Sequence, residues 1–93
     1  MNAISAVWKF VLPPPNDFVT LEMPIDAEPL CVQVQAGQPC LWARVHPKAD
    51  TELRSFRWAG TGHHMDDENV GRYVGSWQEA GGALVWHLFE IAR

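Results

Sequence analysis

Residues 75–91, GSWQEAGGALVWHLFEI, decide the fold of this chain. Two runs of β-forming residues flank Gly81-Gly82, which is the pattern of a β-hairpin. The second run, residues 83–91, is apolar on both faces apart from His87 and Glu90. A strand with two apolar faces needs cover on both sides. In so short a chain we expect one cover to be a second copy, so we predict a homo-oligomer.

The whole chain, residues 1–93, has the length of one domain and is too short for two. Five of its side chains are tryptophans, and each buried aromatic ring removes roughly 150–250 Å² from water. A small core cannot hold all of them. We therefore expect some of the tryptophans to line an interface or a ligand pocket. The five tryptophans are Trp8, Trp42, Trp58, Trp77 and Trp86.

Charge and cysteine content exclude several classes of partner. The formal charge is -4 and the seven Lys and Arg residues are scattered, which excludes duplex nucleic acid because its binding depends on neutralised phosphates. One or two Arg can still hold a small anion. No apolar run is long enough to span a membrane, and we expect the N-terminal residues not to act as a secretion signal. Because Cys31 and Cys40 show no metal-type spacing, we predict a cytoplasmic protein with free thiols and no cofactor.

The rest of the chain also predicts β-structure. Turn signals recur every 8 to 12 residues, and no long segment has helical periodicity. We predict an all-β single domain of six to seven mostly antiparallel strands, folded as a barrel or a sandwich. At most one short helical turn is expected, over residues 66–70 with Asp66 as its N-cap. The predicted strands before the hairpin cover residues 7–12, 18–23, 30–35, 38–45 and 53–59.

A second hairpin is predicted with its register. If Ala36-Gly37 is a two-residue turn, Gln33 lies opposite Cys40. Two residues further from the turn, Cys31 then lies opposite Trp42. The face predicted to join the core carries Leu30, Val32, Val34, Leu41, Ala43 and Val45. The other face is mixed and could bind a partner; it carries Cys31, Gln33, Gln35, Cys40, Trp42 and Arg44.

Two histidine-containing segments suggest chemistry. Gly60-Thr61-Gly62-His63 follows a strand, and successive amides in such a turn can form an anion-binding nest. His63 and His64 with Asp66 have the side chains of a metal site. Adjacent side chains in an extended segment point apart, so we predict a solvated loop without metal. His87, in its apolar strand, needs a hydrogen-bond partner, predicted to be Gln78, Glu79 or a group across a subunit boundary.

Separated blocks of the sequence resemble a family of short phage and prophage proteins of unknown function. The blocks are residues 8–10, 30–43, 60–63, 73–78 and 81–90. Where the family has His-Pro after Gly-Thr-Gly, this chain has His63-His64, and Trp77 and Trp86 replace the usual Phe. The resemblance implies an accessory gene product, and such phage proteins often inhibit bacterial defence. Several unrelated examples are β-rich oligomers that trap nucleotide-derived signals between subunits.

We therefore expect a non-enzymatic, homo-oligomeric protein that sequesters a small anionic, nucleotide-derived molecule. No nucleophile elbow, carboxylate pair or His-Glu-x-x-His helix predicts catalytic residues. Stacking on the base is assigned to Trp42 or Trp58, and phosphate binding to Arg44 or Arg57 with the amides of Gly60, Thr61, Gly62 and His63. The alternative is an adaptor whose mixed face docks on another protein. A hydrolase with a metal at His63, His64 and Asp66 is a third, less favoured reading.

Overall fold

The computed structural model describes residues 4–14, 16–67 and 70–91, and these residues form seven antiparallel strands. The predicted all-β class is therefore confirmed. The strands are β1 (Ala6–Val11), β2 (Phe18–Pro24), β3 (Glu28–Gln35), β4 (Gln38–Val45), β5 (Thr51–Gly60), β6 (Tyr73–Glu79) and β7 (Leu84–Glu90). A 3-10 turn, Ala80–Gly82, joins the last two strands. The helical turn predicted over residues 66–70 includes residues 68 and 69, which lie outside the described residues.

The strands form two sheets that face each other across one core. The three-stranded sheet has the order β1-β4-β3, and the four-stranded sheet has the order β2-β5-β7-β6. Both sheets contribute fully buried side chains, such as Leu41 from β4 and Phe56 from β5. Of the two predicted architectures, the chain thus adopts the sandwich, in which each inner face is buried and each outer face meets solvent.

One side of the sandwich is closed by a close approach of β3 and β6, each of which is an edge strand of its sheet. Gly75 of β6 lies against the backbone of Val32 in β3. A Cβ atom at position 75 would be 3.1 Å from the Val32 nitrogen. The missing side chain therefore lets the two sheets meet along this edge.

The register predicted for the second hairpin is confirmed, since Gln33 pairs with Cys40 and Cys31 with Trp42. The predicted core positions of Leu30 and Val34 are wrong, because their side chains are 43% and 44% exposed. A β-bulge between Pro29 and Cys31 takes Leu30 out of the ladder. Val34 lies next to the turn at the tip of the hairpin.

The C-terminal hairpin also forms as predicted. Trp77 pairs with Trp86, and both side chains lie on the inner face of the sheet. On the outer face of β7, His87 and Phe89 are half-buried. His87 has the hydrogen bond that its apolar strand requires, but from a residue that was not predicted: 2.8 Å separates its Nε2 from the hydroxyl of Thr61. The loop after β5, which is distant in sequence from the hairpin, thus reaches this side chain.

Sequence analysis missed a buried ion pair between β5 and β7. The side chain of Arg54 is 4% exposed and that of Glu90 is 12% exposed. Two guanidinium nitrogens of Arg54 donate to the two carboxylate oxygens of Glu90, and Nη1 donates to the carbonyl of Ala27 at 3.0 Å. The hydrogen bond to Glu90 raises the pKa of Arg54 above its ordinary value, although burial opposes the shift. Arg54 therefore stays charged inside the sandwich.

Candidate functional site

Three tryptophans form an aromatic cluster at one end of the four-stranded sheet. The rings of Trp58 and Trp77 are 4.8 Å apart and nearly perpendicular. Trp86 lies 6.0 Å from Trp58, also edge to face, which is a favourable arrangement for aromatic pairs. The indole N–H groups of Trp77 and Trp86 donate to the carboxylate of Glu79. The indole N–H of Trp58 is buried and has no acceptor among the described residues.

The loop that follows β5 folds the ring of His63 back over this cluster. The backbone N–H of His63 donates to the carbonyl of Gly60 at 3.0 Å, and this hydrogen bond closes a turn. Gly62 has a φ of +86°, which this turn tolerates because glycine has no Cβ. The ring nitrogen Nδ1 of His63 accepts the N–H of Gly60 at 3.1 Å. The imidazole then lies edge to face against Trp86, with the ring centres 6.1 Å apart.

Gly60 provides the space for this ring. A Cβ atom at position 60 would lie 2.7 Å from Cε1 of His63 and 3.0 Å from both ring nitrogens. Gly60 is paired with Trp86 across the sheet, so the two residues share a face. The imidazole thus fills the place above Trp86 that a side chain at position 60 would occupy.

The predicted anion-binding nest does not form from the amides of Gly60, Thr61 and His63. The amide of Gly60 is bound by the His63 ring. The amide of Thr61 donates to the carbonyl of Val85, and that of His63 to the carbonyl of Gly60, each at 3.0 Å. An amide that already has an internal acceptor cannot be aimed at a phosphate without breaking that bond. The N–H groups of Gly60, Thr61 and His63 are therefore engaged within the protein, by the His63 ring and by backbone carbonyls.

Arg57 holds the loop in place. Its Nη1 lies 3.1 Å from the carboxylate of Asp17 and donates to the Asp17 carbonyl, while Nη2 donates to the carbonyl of His64. The guanidinium also lies over the ring of Phe18, 5.4 Å from its centre. These bonds neutralise the side chain and join the loop to β2, so Arg57 is not a free cation for the predicted phosphate contact.

Trp42 and Arg44 lie on a different surface from the other predicted site residues. Both belong to the outer face of the three-stranded sheet, where Arg44 is 3.6 Å from Glu28. Trp58 and Gly60 lie on the inner face of the opposite sheet. The structure therefore brings Trp58, Gly60, Thr61 and His63 together and places Trp42 and Arg44 apart from them.

Two neighbouring grooves meet at His63 and Trp86. The first has a volume of about 200 Å³ and is mainly apolar; it is lined by Gly60, Thr61, His63, Ala83, Leu84, Val85 and Trp86. The second has a volume of about 220 Å³ and is lined by Asn16, Asp17, Trp58, His63 and Trp86. Sequence analysis had marked Trp86 only as a surplus tryptophan, and it missed Asn16 and Asp17. In the sequence, Asn16 and Asp17 are recognisable as part of the turn before β2. That turn is distant in sequence from residues 60–63, so no local pattern indicates that the two segments form one groove.

Two other kinds of site, a metal centre and a membrane-spanning helix, are absent from the described residues. Among the described residues, no group of three or more His, Cys, Asp or Glu side chains is placed to hold a metal ion. Within those residues, no helix has the length and apolar character needed to cross a membrane. Cys31 is half-buried and Cys40 buried, both as free thiols.

The fold and the grooves define a small antiparallel β-sandwich with a shallow aromatic site at one end of its larger sheet. The chain belongs to the family described as Domain of unknown function (DUF7352), whose model matches residues 4–93. No curated protein and no solved structure matches it. The function must therefore be argued from the site itself.

Replacing Gly60 by alanine is expected to displace His63 from Trp86. The φ of Gly60 is not positive, so the backbone conformation suits alanine. The added methyl group would instead clash with the His63 ring. The His63 ring is an exposed side chain that can rotate away, so we expect a loss of only about 1 kcal/mol in the free energy of unfolding, near the net value of its hydrogen bond to Gly60. Tryptophan emission should change as well. In a His63→Ala background the same substitution should cost much less. Equal costs in the two backgrounds would contradict the proposed contact.

Proposed function

We propose that this protein is a non-enzymatic binding protein that holds the planar ring of a small molecule at His63 and Trp86. The observation that carries the proposal is that these two side chains form a wall common to both grooves. Flat rings bind favourably against aromatic side chains, through stacking or edge contacts. Leu84 and Val85 extend the apolar wall of the first groove. The site thus suits a ligand that combines a planar ring with polar groups.

The proposed ligand is nucleotide-derived and is sequestered rather than converted. Grooves of about 200 Å³ are smaller than the 300–1,000 Å³ typical of sites for drug-sized ligands, so each fits one ring system rather than a whole nucleotide. Because Arg57 and three loop amides are engaged within the protein, the phosphates would lie outside the grooves. The resemblance to phage and prophage proteins supports a role as a sponge for a defence signal in the host cytoplasm.

Binding is tested by titrating the protein with cyclic nucleotides and ADP-ribose derivatives while recording tryptophan emission. We expect saturable binding of at least one ligand, weakened at least about tenfold by His63→Ala, a loss near 1.4 kcal/mol. His64→Ala is the matched control, because the neighbouring imidazole lines neither groove. Equal weakening by the two variants would contradict the assigned role of His63. No response to any ligand at millimolar concentration would remove the proposal.

The proposal includes a homo-oligomer formed through the outer face of the four-stranded sheet. On this face Phe18, Leu53 and Tyr73 are 53%, 70% and 51% exposed, and Phe89 contacts Tyr73 with the ring centres 5.1 Å apart. Exposed apolar surface of this kind favours association. Arg57 on the same face is paired with Asp17, so its charge is compensated within each chain before two copies meet.

Light scattering should accordingly give at least twice the mass of one chain. Leu53→Glu is expected to reduce the mass to that of a monomer, because it replaces an apolar side chain of the proposed interface that is 70% exposed by a carboxylate. Val7→Glu is the control, since Val7 is also exposed but lies on the outer face of the other sheet. A monomeric wild-type protein at micromolar concentration would contradict the oligomer.

A second candidate function is that of an adaptor for another protein. The outer face of the three-stranded sheet favours it: Val7 and Val11 are 58% and 51% exposed there, and they share that face with Trp42. If this face binds a protein, a stoichiometric partner should be recovered from host lysate and lost with Trp42→Ala. A sponge should retain its small ligand and recover no such partner.

A further inference from the structure

We propose that the second groove, lined by Asn16, Asp17, Trp58, His63 and Trp86, is a subsite for the hydrogen-bonding edge of a nucleobase. In this subsite the indole N–H of Trp58 donates to a ring acceptor, and the side chains of Asn16 and Asp17 bind the neighbouring polar groups. The inference rests on the proposed function and names the chemical class of its ligand.

The first observation is the unpaired indole of Trp58. The side chain is 3% exposed, and its N–H has no acceptor among the described residues. The other two tryptophans of the aromatic cluster both donate to Glu79. Trp58 is also one of the residues that line the second groove. Buried polar groups are normally hydrogen-bonded, so a bound acceptor that reached this N–H would supply its missing bond. Carbonyl oxygens and ring nitrogens of nucleobases are acceptors of this kind.

The second observation is the polar side of the same groove. The side-chain oxygen of Asn16 accepts the N–H of Asp17 at 2.8 Å, which orients the amide group. The carboxylate of Asp17 is held by Arg57 at 3.1 Å. A carboxylate has lone pairs for several donors, so Asp17, whose side chain is 77% exposed, can accept N–H groups in addition to its contact with Arg57. The groove therefore favours a ring edge on which a hydrogen-bond donor lies close to an acceptor.

The size of the groove and its aromatic walls agree with this assignment. A volume of about 220 Å³ holds one ring system but not a base with its sugar and phosphates. His63 and Trp86 supply ring surfaces beside the base. A purely apolar ring would leave the indole N–H of Trp58 without an acceptor, so it would favour the first groove instead.

The test is a titration of the full chain, labelled with ¹⁵N, with adenosine, guanosine, cytidine and uridine. The indole N–H resonance of Trp58, assigned from the Trp58→Phe spectrum or from contacts to its neighbours, should move downfield as one nucleoside saturates the site. Trp58→Phe keeps an aromatic ring but removes the donor, and it should weaken that nucleoside at least fivefold. Asp17→Asn, a variant outside the core, should weaken it by a similar factor.

Trp77→Phe is the matched control, because Trp77 belongs to the same cluster but lines neither groove; it should leave the affinity within twofold. Saturable binding that leaves the Trp58 resonance unmoved and is unaffected by Asp17→Asn would overturn the subsite and keep the proposed function. Absence of binding by any nucleoside or nucleotide would overturn both.

Discussion

Replacing Arg54 by alanine is expected to lower the free energy of unfolding by about 3–5 kcal/mol, the usual cost of removing one partner of a buried ion pair. The substitution would leave the carboxylate of Glu90, 12% exposed, without its cation. It would also leave the carbonyl of Ala27 without a donor from Arg54. Small domains are stable by only about 5–15 kcal/mol, so the variant should be largely destabilised. Urea unfolding followed by far-UV circular dichroism measures the loss.

The same chain offers a matched control for this prediction. Arg44 and Glu28 form an ion pair whose side chains are 57% and 46% exposed, and such pairs contribute at most about 1 kcal/mol. Arg44→Ala should therefore change stability little. Replacing both partners of the shorter pair, as Arg54→Met with Glu90→Leu, should recover part of the loss because the buried carboxylate of Glu90 is removed together with its cation. Glu52, 25% exposed and 3.5 Å from Arg54, still loses that ion pair. Similar losses for Arg54→Ala and Arg44→Ala would refute the buried ion pair.

Replacing Gly75 by valine should destabilise the fold by about 1–3 kcal/mol, the typical cost of overpacking. The new Cβ would lie 3.1 Å from the backbone nitrogen of Val32, and this atom cannot rotate away as a side chain can. The larger valine must push β6 from β3 and open the side of the sandwich at which the sheets meet. Thermal unfolding, with tryptophan emission as a second probe, measures the effect.

Ser76→Val is the control for Gly75→Val. Ser76 is the next residue of β6, is exposed, and pairs with His87 on the outer face. Valine suits an exposed strand position, so the change should stay within about 0.5 kcal/mol. If both valines had the same small effect, the close approach of β3 and β6 would not depend on Gly75.

Two local patterns in the sequence were sufficient to predict much of the fold. Alternation of apolar and polar residues predicted the strands, because successive side chains of a strand point to opposite faces. Ala36-Gly37 predicted the register of the second hairpin, because a two-residue turn leaves one way to pair the flanking strands. The bulge at Leu30 was missed, although Pro29 stands directly before it and proline in a strand is confined to edges, strand starts and bulges.

The candidate site depended on contacts that these patterns do not contain. Sequence analysis treated the amides of residues 60–63 as free donors. In the fold, the pairing of β5 with β7 brings the carbonyl of Val85 to the amide of Thr61. Likewise, Arg57 was read as a phosphate ligand, but the pairing of β2 with β5 supplies Asp17 as its partner. A donor is available only if the tertiary structure leaves it unpaired.

The sequence by itself determined the all-β class, the positions of the strands, both hairpins and the surplus of tryptophan, because each of these follows from residues close together in the chain. The tertiary structure decided which strands of different hairpins pair, and thus that Arg54 meets Glu90 and that Asn16 and Asp17 meet Trp58. It also decided that Trp42 lies away from Trp58. Long-range pairing depends on the total burial and hydrogen bonding of the whole chain, which no local pattern specifies.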